Sequence, residues 1–222
     1  VGVFDRDGQA AEKVAALIDA VALIGDVTSE TDVDNCLDAL IAANGPLRIL
    51  VNCAGIGTAK RIVGRDGPMP LADFEKVIRV NLIGTFNMLR LCSARMADSE
   101  PLDDGARGAI VNTASVAAFD GQIGQAAYAA SKGGITSLAL PAARELARFG
   151  IRVNTLAPGI FMTPLLGELP EESRASLAAG IPYPSRLGLP AEFAEAVRFC
   201  IENQYLNGET IRLDGATRLQ PK

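Results

Sequence analysis

The chain has 222 residues, a length that suits one compact domain with a sizeable core. Hydrophobic residues make up 49% of it and charged residues 21%, a balance typical of globular enzymes that argues against a disordered or fibrous chain. The net charge of −5 and the scattered basic residues argue against nucleic acid as the main partner. Histidine is absent, which excludes Ser-His-Asp and Cys-His triads and histidine-rich metal sites. Any general base must therefore be Tyr, Lys, Asp, Glu or Cys.

The four cysteines lie far apart and form no C-x-x-C pair. We therefore expect neither a metal site nor a disulfide framework, and we interpret the cysteines as free thiols in a reducing compartment. No apolar run reaches the length of a membrane span, so no membrane partner is expected. The chain opens at Val1 inside a predicted strand, and we expect a segment upstream of it. The expected location is the cytoplasm, or the mitochondrial matrix if that segment carries a targeting signal.

Predicted strands and helices alternate along the chain. Apolar runs predict strands at 1–4, 20–25, 47–51, 109–113, 151–156 and 209–213. Helical periodicity and helix-start signals predict helices at 9–19, 31–44, 71–96, 128–149, near Pro170 and at 190–202. This alternation predicts a single α/β domain over residues 1–222, with a Rossmann-type doubly wound parallel sheet and ligands at the carboxyl ends of its strands. The run 47–51 is apolar after Arg48, which predicts a strand buried on both faces.

Acidic residues follow the first two predicted strands. Asp5 ends the first strand, where a carboxylate can accept hydrogen bonds from both ribose hydroxyls of adenosine and repel a 2′-phosphate. That role would select NAD over NADP, a preference that the adjacent Arg6 slightly weakens. A turn or helix-capping role for Asp5 is equally open. The pair Asp26 and Val27 follows the second strand, which in a doubly wound sheet lies beside the adenine ring.

The third predicted strand runs into small residues, Asn52-Cys53-Ala54-Gly55. Small side chains let the backbone lie close to a ribose or nicotinamide, and a buried asparagine can tie neighbouring strands together. Asn81 lies among apolar positions of the helix at 71–96, as either a satisfied core group or part of a proton relay. Two adjacent glycines, Gly133 and Gly134, permit another helix to pack closely, for example from a second subunit. The long segment 160–184 is interpreted as a substrate lid.

Ser115 follows the strand at 109–113, and Tyr128 comes 13 residues later, with Lys132 a further four positions on. The last spacing puts the phenol and the ammonium on one face of a helix. A nearby ammonium favours the phenolate, so the pKa of Tyr128 should fall and the side chain can exchange a proton near neutral pH. Ser115 could then hold the substrate oxygen. The alternative is an ordinary exposed helix on which Tyr and Lys lie one turn apart.

The chain resembles the short-chain dehydrogenase/reductase family over essentially its whole length. The resemblance is carried by NCAG, a Pro-Gly pair after a strand, the terminal LDG and the four residues Asn81, Ser115, Tyr128 and Lys132. Finer features are similar to the type 2 3-hydroxyacyl-CoA dehydrogenases, also described as hydroxysteroid dehydrogenases. These features are NTASVAAFDGQIGQAAYAASKGGI, APGIFMTPLL, PSRLG and LNGETIRLDGA. The resemblance implies reversible NAD-linked oxidation of a secondary alcohol, with a 3-hydroxyacyl-CoA and its 3-oxoacyl-CoA as the expected pair.

The resemblance also implies roles for individual residues. Tyr128 would take the hydroxyl proton, Lys132 would lower its pKa and bind the nicotinamide ribose, and Ser115 would orient the substrate oxygen. Asn81 would hold a water that links Lys132 to solvent. The implied cofactor positions are Asp5, Asp26, Val27, Asn52, Ala54, Gly55, Tyr128, Lys132, Pro158, Gly159 and Thr163, the last holding the carboxamide. Gln122 and Gln125 either contact the substrate thioester or are solvent-facing loop residues.

One feature departs from the family pattern. The Gly-rich turn G-x-x-x-G-x-G, between the family's first strand and first helix, has no counterpart before Val1. We therefore expect that turn and its strand, which belongs between the strands ending at Asp5 and Asn52, to lie outside this chain. Three alternatives stay open: a 3-oxoacyl carrier-protein reductase, a steroid-type reductase, and a binding subunit of the same fold. The resemblance further implies a homotetramer.

Overall fold

The computed structural model describes residues 1–163, 166 and 170–221. The strands are β1 Gly2–Asp5, β2 Val21–Ile24, β3 Ile49–Asn52, β4 Val63–Gly64, β5 Gly67–Pro68, β6 Gly108–Thr113, β7 Ile151–Pro158 and β8 Thr210–Leu213. The helices are α1 Gly8–Leu17, α2 Glu30–Asn44, α3 Leu71–Ile78, α4 Gly84–Ala97, α5 Ala126–Leu146, α6 Glu171–Ala179 and α7 Pro190–Glu202. A π turn, Arg79–Ile83, joins α3 to α4, and short 3₁₀ turns cover Val116–Ala118 and Ala147–Phe149. The predicted α/β alternation is confirmed.

The main sheet has the parallel strand order β3-β6-β7-β8. Strands β1 and β2 form a separate parallel pair, and within the described residues no ladder joins β1 to β3. The short strands β4 and β5 form an antiparallel hairpin between β3 and α3, where no strand was predicted. The doubly wound arrangement is therefore confirmed, and the expected strand between β1 and β3 stays a prediction.

The prediction that β3 is buried on both faces is wrong. Leu50 and Asn52 are buried, but Ile49 is 47% exposed and Val51 is 37% exposed. The physical reason is that β3 pairs with β6 along one edge and α4 packs against the face that carries Leu50. No element of the described part buries the opposite face.

Helices on both faces of the sheet form the core. One apolar cluster joins α2, α4 and α5 to the sheet, with Val33, Met88, Ile110 and Val153 among its buried members. A smaller cluster lies under α7 and contains Val111, Leu156 and Cys200. Strand β7 is buried along most of its length, as expected for a parallel strand covered on both faces.

The helix predicted at 71–96 contains a π turn that the periodicity did not indicate. The amide of Gly84 donates to the carbonyl of Arg79, five residues earlier, and the fully buried Asn81 lies inside this wider turn. Helix α5 packs against the same turn: a Cβ added at Gly134 would lie 2.7 Å from Cδ2 of Leu82. One of the two glycines therefore permits close packing within the chain, whereas a Cβ at Gly133 would meet no described atom within 4 Å.

Arg152 of β7 joins the sheet to the end of α7. Its Nη1 donates to the carbonyl oxygens of Cys200 at 2.8 Å and Leu206 at 2.9 Å, and its Nη2 donates to that of Ile201 at 2.5 Å. The last carbonyls of a helix have no partner within the helix, so the guanidinium serves as its C-terminal cap. Burial lowers the pKa of Arg152.

Replacing Arg152 by methionine should lower the free energy of unfolding by about 3 kcal/mol, because three half-buried carbonyl groups lose a charged donor. Urea denaturation followed by circular dichroism measures this change. The control is Arg198→Met, which alters an exposed arginine of α7 and should cost less than about 0.5 kcal/mol. Equal stability of the two variants would contradict the capping role.

Candidate active site

A cavity of about 330 Å³ lies at the carboxyl ends of β1, β2 and β3. Its lining includes six of the residues expected from the sequence to contact the cofactor: Asp5, Asp26, Val27, Asn52, Ala54 and Gly55. These residues come from three segments of the chain, and the parallel strands bring them together at one edge.

Asp5 is exposed at the end of β1. Its Oδ1 accepts a hydrogen bond from the amide of Asp7 at 2.9 Å. The side chain therefore stabilises the turn, which was one of the two roles considered for Asp5. Among the described residues, Oδ2 takes no hydrogen bond, which leaves that oxygen available to a ribose hydroxyl. Asp5 can therefore stabilise the turn and still accept a hydrogen bond from a ribose.

The Asp26-Val27 corner is held by several side chains. Oδ1 of Asp26 accepts from the amide of Thr28 at 2.8 Å, and the amide of Asp26 donates to Oδ2 of Asp32 at 3.0 Å. This backbone donor is the largest cause that lowers the pKa of Asp32. The carbonyl of Val27 accepts from Nδ2 of Asn87 at 2.8 Å. The corner is thus fixed to both α2 and α4.

Asn52 ties two neighbouring strands together, as predicted. Its Nδ2 donates to Oδ1 of Asn112 at 2.9 Å, which joins the ends of β3 and β6 through buried amides. The bond satisfies Nδ2 of Asn52 and Oδ1 of Asn112, whereas Nδ2 of Asn112 is buried without a partner among the described residues. The loop that begins at Cys53 therefore leaves the sheet from a fixed point.

Asn81 holds the loop after β3 against α5. Its Oδ1 accepts from the amide of Ile56 at 2.8 Å, and its Nδ2 donates to the carbonyl of the same residue at 2.9 Å and to Oγ of Ser131 at 3.0 Å. Ser131 in turn donates to the carbonyl of Tyr128 at 2.8 Å. Of the two alternatives for Asn81, these contacts support a buried group whose hydrogen bonds are satisfied. One acceptor position on Oδ1 remains.

Lys132 is 4% exposed, and its Nζ donates to the carbonyl of Thr113 at 2.7 Å. Burial lowers the pKa of Lys132 to about 8, and the nearby Cys53 opposes this shift. A Cβ added at Gly55 would lie 3.5 Å from Nζ of Lys132 and 3.4 Å from Oδ1 of Asn81. Glycine therefore leaves space at the point where the cavity, the ammonium and the buried amide meet.

Tyr128 and Ser115 contact each other through their side chains. Burial raises the pKa of Tyr128, and the hydrogen bond with Ser115 acts in the opposite direction. Ser115 is 9% exposed, and its Oγ accepts a hydrogen bond from the amide of Ala117 at 3.1 Å. The exposed-helix alternative is therefore wrong for this pair.

The expected fall in the pKa of Tyr128 is not found. Nζ of Lys132 lies 5.8 Å from the centroid of the Tyr128 ring and is directed to the Thr113 carbonyl. The helical spacing does put the two side chains on one face, but burial is the largest cause of the shift in the Tyr128 pKa, and the hydrogen bond with Ser115, not the ammonium, opposes it.

Gln122 and Gln125 are half-buried and bonded to each other. Oε1 of Gln125 accepts from the amide of Gln122 at 3.1 Å, and Nε2 of Gln122 donates to the carbonyl of Gln220 at 2.9 Å. Both line a second cavity of about 360 Å³, which the hairpin residues Ile62 and Val63 bound on another side. Hydrogen bonds therefore hold both glutamines in the wall of this cavity, and neither is a freely solvated loop residue.

The remaining cofactor candidates lie apart from the first cavity. Pro158 ends β7, and the amide of Gly159 donates to the carbonyl of Leu213 at 2.9 Å. Thr163 is exposed and is not part of the cavity lining. In the segment interpreted as a lid, α6 occurs where a helix was predicted near Pro170, while positions 164, 165 and 167–169 lie outside the described residues.

Sequence reasoning missed an ion-pair cluster beside Ser115. Arg212 of β8 binds Oδ2 of Asp120 through Nη2 at 2.5 Å and Oδ2 of Asp214 through Nε at 2.7 Å. Its guanidinium also lies 5.1 Å from the centre of the Phe119 ring. These contacts lower the pKa of Asp120 and fasten the loop after Ser115 to the sheet. The available signal was an arginine between two apolar residues, Ile211 and Leu213, of a predicted strand.

The first cavity fits the dinucleotide that the resemblance implies. It offers carboxylates at two strand ends and small residues after the third, and the missing Cβ of Gly55 opens it towards Lys132. The described residues contain no group of three or more His, Cys, Asp or Glu side chains that could hold a metal ion. Within the same residues, no helix is both long and apolar enough to cross a membrane.

Comparison with known proteins gives consistent results. The 3-hydroxyacyl-CoA dehydrogenase type-2 of Bos taurus is 56% identical over 198 residues, which cover 88% of this chain and 76% of the bovine protein. The crystal structure of the Mycobacterium avium enzyme of the same name has a TM-score of 0.96 and 46% identity, covering 100% of this chain and 87% of that one. A 7α-hydroxysteroid dehydrogenase complexed with NADH and 7-oxo glycochenodeoxycholic acid has a TM-score of 0.86 and 30% identity, covering 100% and 86%.

The family match agrees with these relatives. Residues 1–174 match the family described as short chain dehydrogenase. The match extends from β1 beyond the Ser115, Tyr128 and Lys132 cluster. The chain therefore belongs to the short-chain dehydrogenase family of oxidoreductases.

Proposed function

We propose that this chain interconverts 3-hydroxyacyl-CoA and 3-oxoacyl-CoA thioesters with NAD as the cofactor. The observation that carries the proposal is the contact of Ser115 with Tyr128 one helical turn from the buried Lys132, beside a cavity suited to a nicotinamide cofactor. The choice of substrate rests on the 56% identity to a 3-hydroxyacyl-CoA dehydrogenase type-2. The steroid alternative has weaker support, since the hydroxysteroid dehydrogenase is 30% identical.

In the proposed mechanism, Tyr128 moves the proton. Its raised pKa keeps the phenol protonated at neutral pH, so its hydroxyl can give a proton to the carbonyl oxygen of a 3-oxoacyl substrate. In the oxidative direction the phenolate takes the proton of the substrate hydroxyl. When bound, the nicotinamide would supply or accept the hydride. Ser115 donates a hydrogen bond to the same substrate oxygen and orients it between the two groups.

Lys132 and Asn81 support this proton transfer without contacting the substrate oxygen. The ammonium of Lys132 favours the phenolate when protonated, and it is the proposed contact for the nicotinamide ribose. The remaining acceptor position on Oδ1 of Asn81 is suited to a water that links Lys132 to solvent. The other proposed cofactor contacts are Asp5, Asp26, Val27, Asn52, Ala54, Gly55, Pro158, Gly159 and Thr163.

The proposed assembly is a homotetramer. Its support is the exposure of large apolar side chains on the helical segment that includes the π turn, Ile83 at 46% and Phe86 at 47%, together with the open surface at Gly133 on α5. The four cysteines are free, which supports a reducing compartment, the cytoplasm or the mitochondrial matrix.

The proposed reaction is tested by following NADH absorbance with acetoacetyl-CoA as the substrate. Replacing Tyr128 by phenylalanine should reduce kcat at least about 100-fold, because the variant lacks the proton donor. Thermal unfolding and NADH binding should stay close to those of the wild type. Tyr205→Phe is the matched control, since Tyr205 is fully exposed. A Tyr128→Phe variant with wild-type kcat would disprove the mechanism.

Replacing Asp5 by serine should lower the preference for NADH over NADPH at least about tenfold, because the carboxylate no longer repels a 2′-phosphate. The ratio of kcat/KM for the two cofactors measures the effect. Asp103→Ser removes an exposed acidic residue of the loop before β6 and should leave the ratio unchanged. If both variants behave alike, a residue other than Asp5 reads the ribose.

Replacing Lys132 by methionine should reduce both NADH affinity and kcat while changing how stability depends on pH. The pKa of Lys132 is lowered from 10.5 to about 8, so the folded protein binds fewer protons than the unfolded chain between these values. Wild-type stability should therefore rise with pH across this window, relative to the variant, by about 3 kcal/mol.

Denaturant unfolding of wild type and variant at pH 7 and pH 10 measures this difference. Lys13→Met, at an exposed position of α1, is the control and should show no such pH-dependent difference. If the free energies of unfolding of Lys132→Met and wild type differ by the same amount at both pH values, folding does not lower the pKa of Lys132.

A further inference from the structure

Asn87 carries an amide into the buried part of α4. The residue is 6% exposed, and its neighbours Met88 and Leu89 belong to the apolar cluster that joins α2, α4 and α5 to the sheet. Burying an amide in such surroundings costs free energy unless its donor and its acceptor both find partners. The partners of this amide therefore indicate why an asparagine occupies the position.

The two ends of the Asn87 amide are bound to different groups. Nδ2 donates to the carbonyl of Val27 at 2.8 Å, whereas Oδ1 accepts from Nε of Arg90 at 3.1 Å and from its Nη2 at 2.8 Å. Nη2 of Arg90 also pairs with Oε2 of Glu30 at 3.0 Å, at the start of α2. Because a guanidinium can only donate, Arg90 holds Oδ1 and thereby directs Nδ2 to the Val27 carbonyl.

A second residue of α4 contacts the same valine. Gly84 lies three positions before Asn87 and therefore on the same face of the helix. A Cβ added at Gly84 would lie 2.6 Å from Cγ2 of Val27, which is closer than carbon atoms approach without strain. Glycine thus admits the valine side chain while the asparagine binds the valine carbonyl. One face of α4 fixes both the backbone and the side chain of Val27.

The loops after β2 and β3 are held by two different asparagines. Val27 and Gly55 both line the first cavity, and Gly55 lies on the side where Nζ of Lys132 is close. The loop of Gly55 is bound by Asn81, and the loop of Val27 is bound by Asn87, six positions further along the same helical segment. A change at Asn87 can therefore alter one part of the cavity wall without altering the contacts beside the ammonium.

The Asp26-Val27 corner has further support that does not depend on α4. The amide of Asp26 donates to Oδ2 of Asp32 at 3.0 Å, and Oδ1 of Asp26 accepts from the amide of Thr28 at 2.8 Å. These contacts attach the corner to α2 and remain when Asn87 is replaced. Replacement of Asn87 should therefore shift the corner relative to α4 and leave the fold intact.

We propose that Asn87 is a positioning residue for the adenine end of the NAD cofactor. It acts through Val27, whose carbonyl it binds and whose side chain forms part of the cavity wall. A wall that is already fixed binds a flat ring more tightly than a wall that must be ordered on binding, because ordering costs entropy. The inference rests on the proposed function, since it supposes NAD as the cofactor with its adenine ring beside Asp26 and Val27.

The binding test uses calorimetry with ADP-ribose, which carries the adenine end of the cofactor and no nicotinamide, so that no turnover occurs. Asn87→Asp replaces the donor that faces Val27 by a second oxygen and keeps an acceptor for Arg90. This variant should bind ADP-ribose at least about tenfold more weakly than the wild type, because a repulsion replaces a hydrogen bond.

Two further variants make the binding test decisive. Asn87→Leu has a similar volume and also lacks the donor, so it should weaken ADP-ribose binding in the same direction. It replaces Asn87→Asp in the test if circular dichroism shows that the latter does not fold. Ser93→Ala is the matched control, because Ser93 is a buried residue of α4 whose Oγ has no hydrogen-bond partner among the described residues. This control should bind ADP-ribose as the wild type does.

The kinetic test separates a local effect from a general loss of structure. With acetoacetyl-CoA and NADH, Asn87→Asp should raise the KM for NADH at least about tenfold. The kcat at saturating NADH and the KM for acetoacetyl-CoA should stay within about twofold of the wild-type values, because the Asn81 contacts near the reacting groups are unchanged.

Each outcome has one interpretation. Equal affinity of the wild type and the Asn87 variants for ADP-ribose would overturn the inference and leave the proposed function intact. A similar loss in kcat, or a similar rise in the KM for acetoacetyl-CoA, would also overturn it, because Asn87 would then support the whole site. The same conclusion follows if Ser93→Ala weakens binding as much. A wild type that binds neither ADP-ribose nor NADH would reject NAD as the cofactor and, with it, both proposals.

Discussion

The side chain of Asn81 is the contact on which the geometry of the site depends. A fully buried amide must find its hydrogen-bond partners within the protein, or it costs free energy on the order of 1–3 kcal/mol for each unpaired group. Asn81 finds them on both backbone groups of Ile56 and on Ser131. One residue thereby fixes three elements to each other: the π turn, the loop after β3 and helix α5. Because Lys132 follows Ser131 directly, the position of its ammonium beside Gly55 is a consequence of this clamp.

The same burial that makes the clamp necessary also changes the acid-base chemistry. Burial lowers the pKa of Lys132 and raises that of Tyr128, so both shifts favour the neutral form of each side chain. A site that simply maximised stability would not enclose two such groups. Their retention next to a cavity is typical of functional sites, where charge that is costly in the folded protein becomes available to a reaction. The hydrogen bond with Ser115 partly offsets the upward shift of the Tyr128 pKa.

Local patterns predicted the parts of this structure that depend on neighbours in sequence. The helix at Pro190–Glu202 was predicted with both of its ends, because proline at its start and amphipathic spacing are local signals. The common face of Tyr128 and Lys132 follows in the same way from helical spacing. The π turn was not predictable, since it serves hydrogen bonds to Ile56, which lies 25 residues away. The predicted direction of the shift in the Tyr128 pKa was wrong for a related reason: spacing gives proximity along a helix but does not give burial.

The segment that carries Ser115 and Lys132 and the loop 121–125 are held by different contacts. Ser115 and Lys132 are attached to the end of β6 and to α5, which the core supports from both faces. The loop 121–125 is held instead by its own glutamines, by the Arg212 ion pairs at Asp120 and by the backbone of Gln220 and Pro221. Changes in this loop can therefore move the two glutamines without moving the Asn81 contacts that position the ammonium. A well-supported core with separately held surface loops is the general arrangement by which one scaffold can serve different substrates.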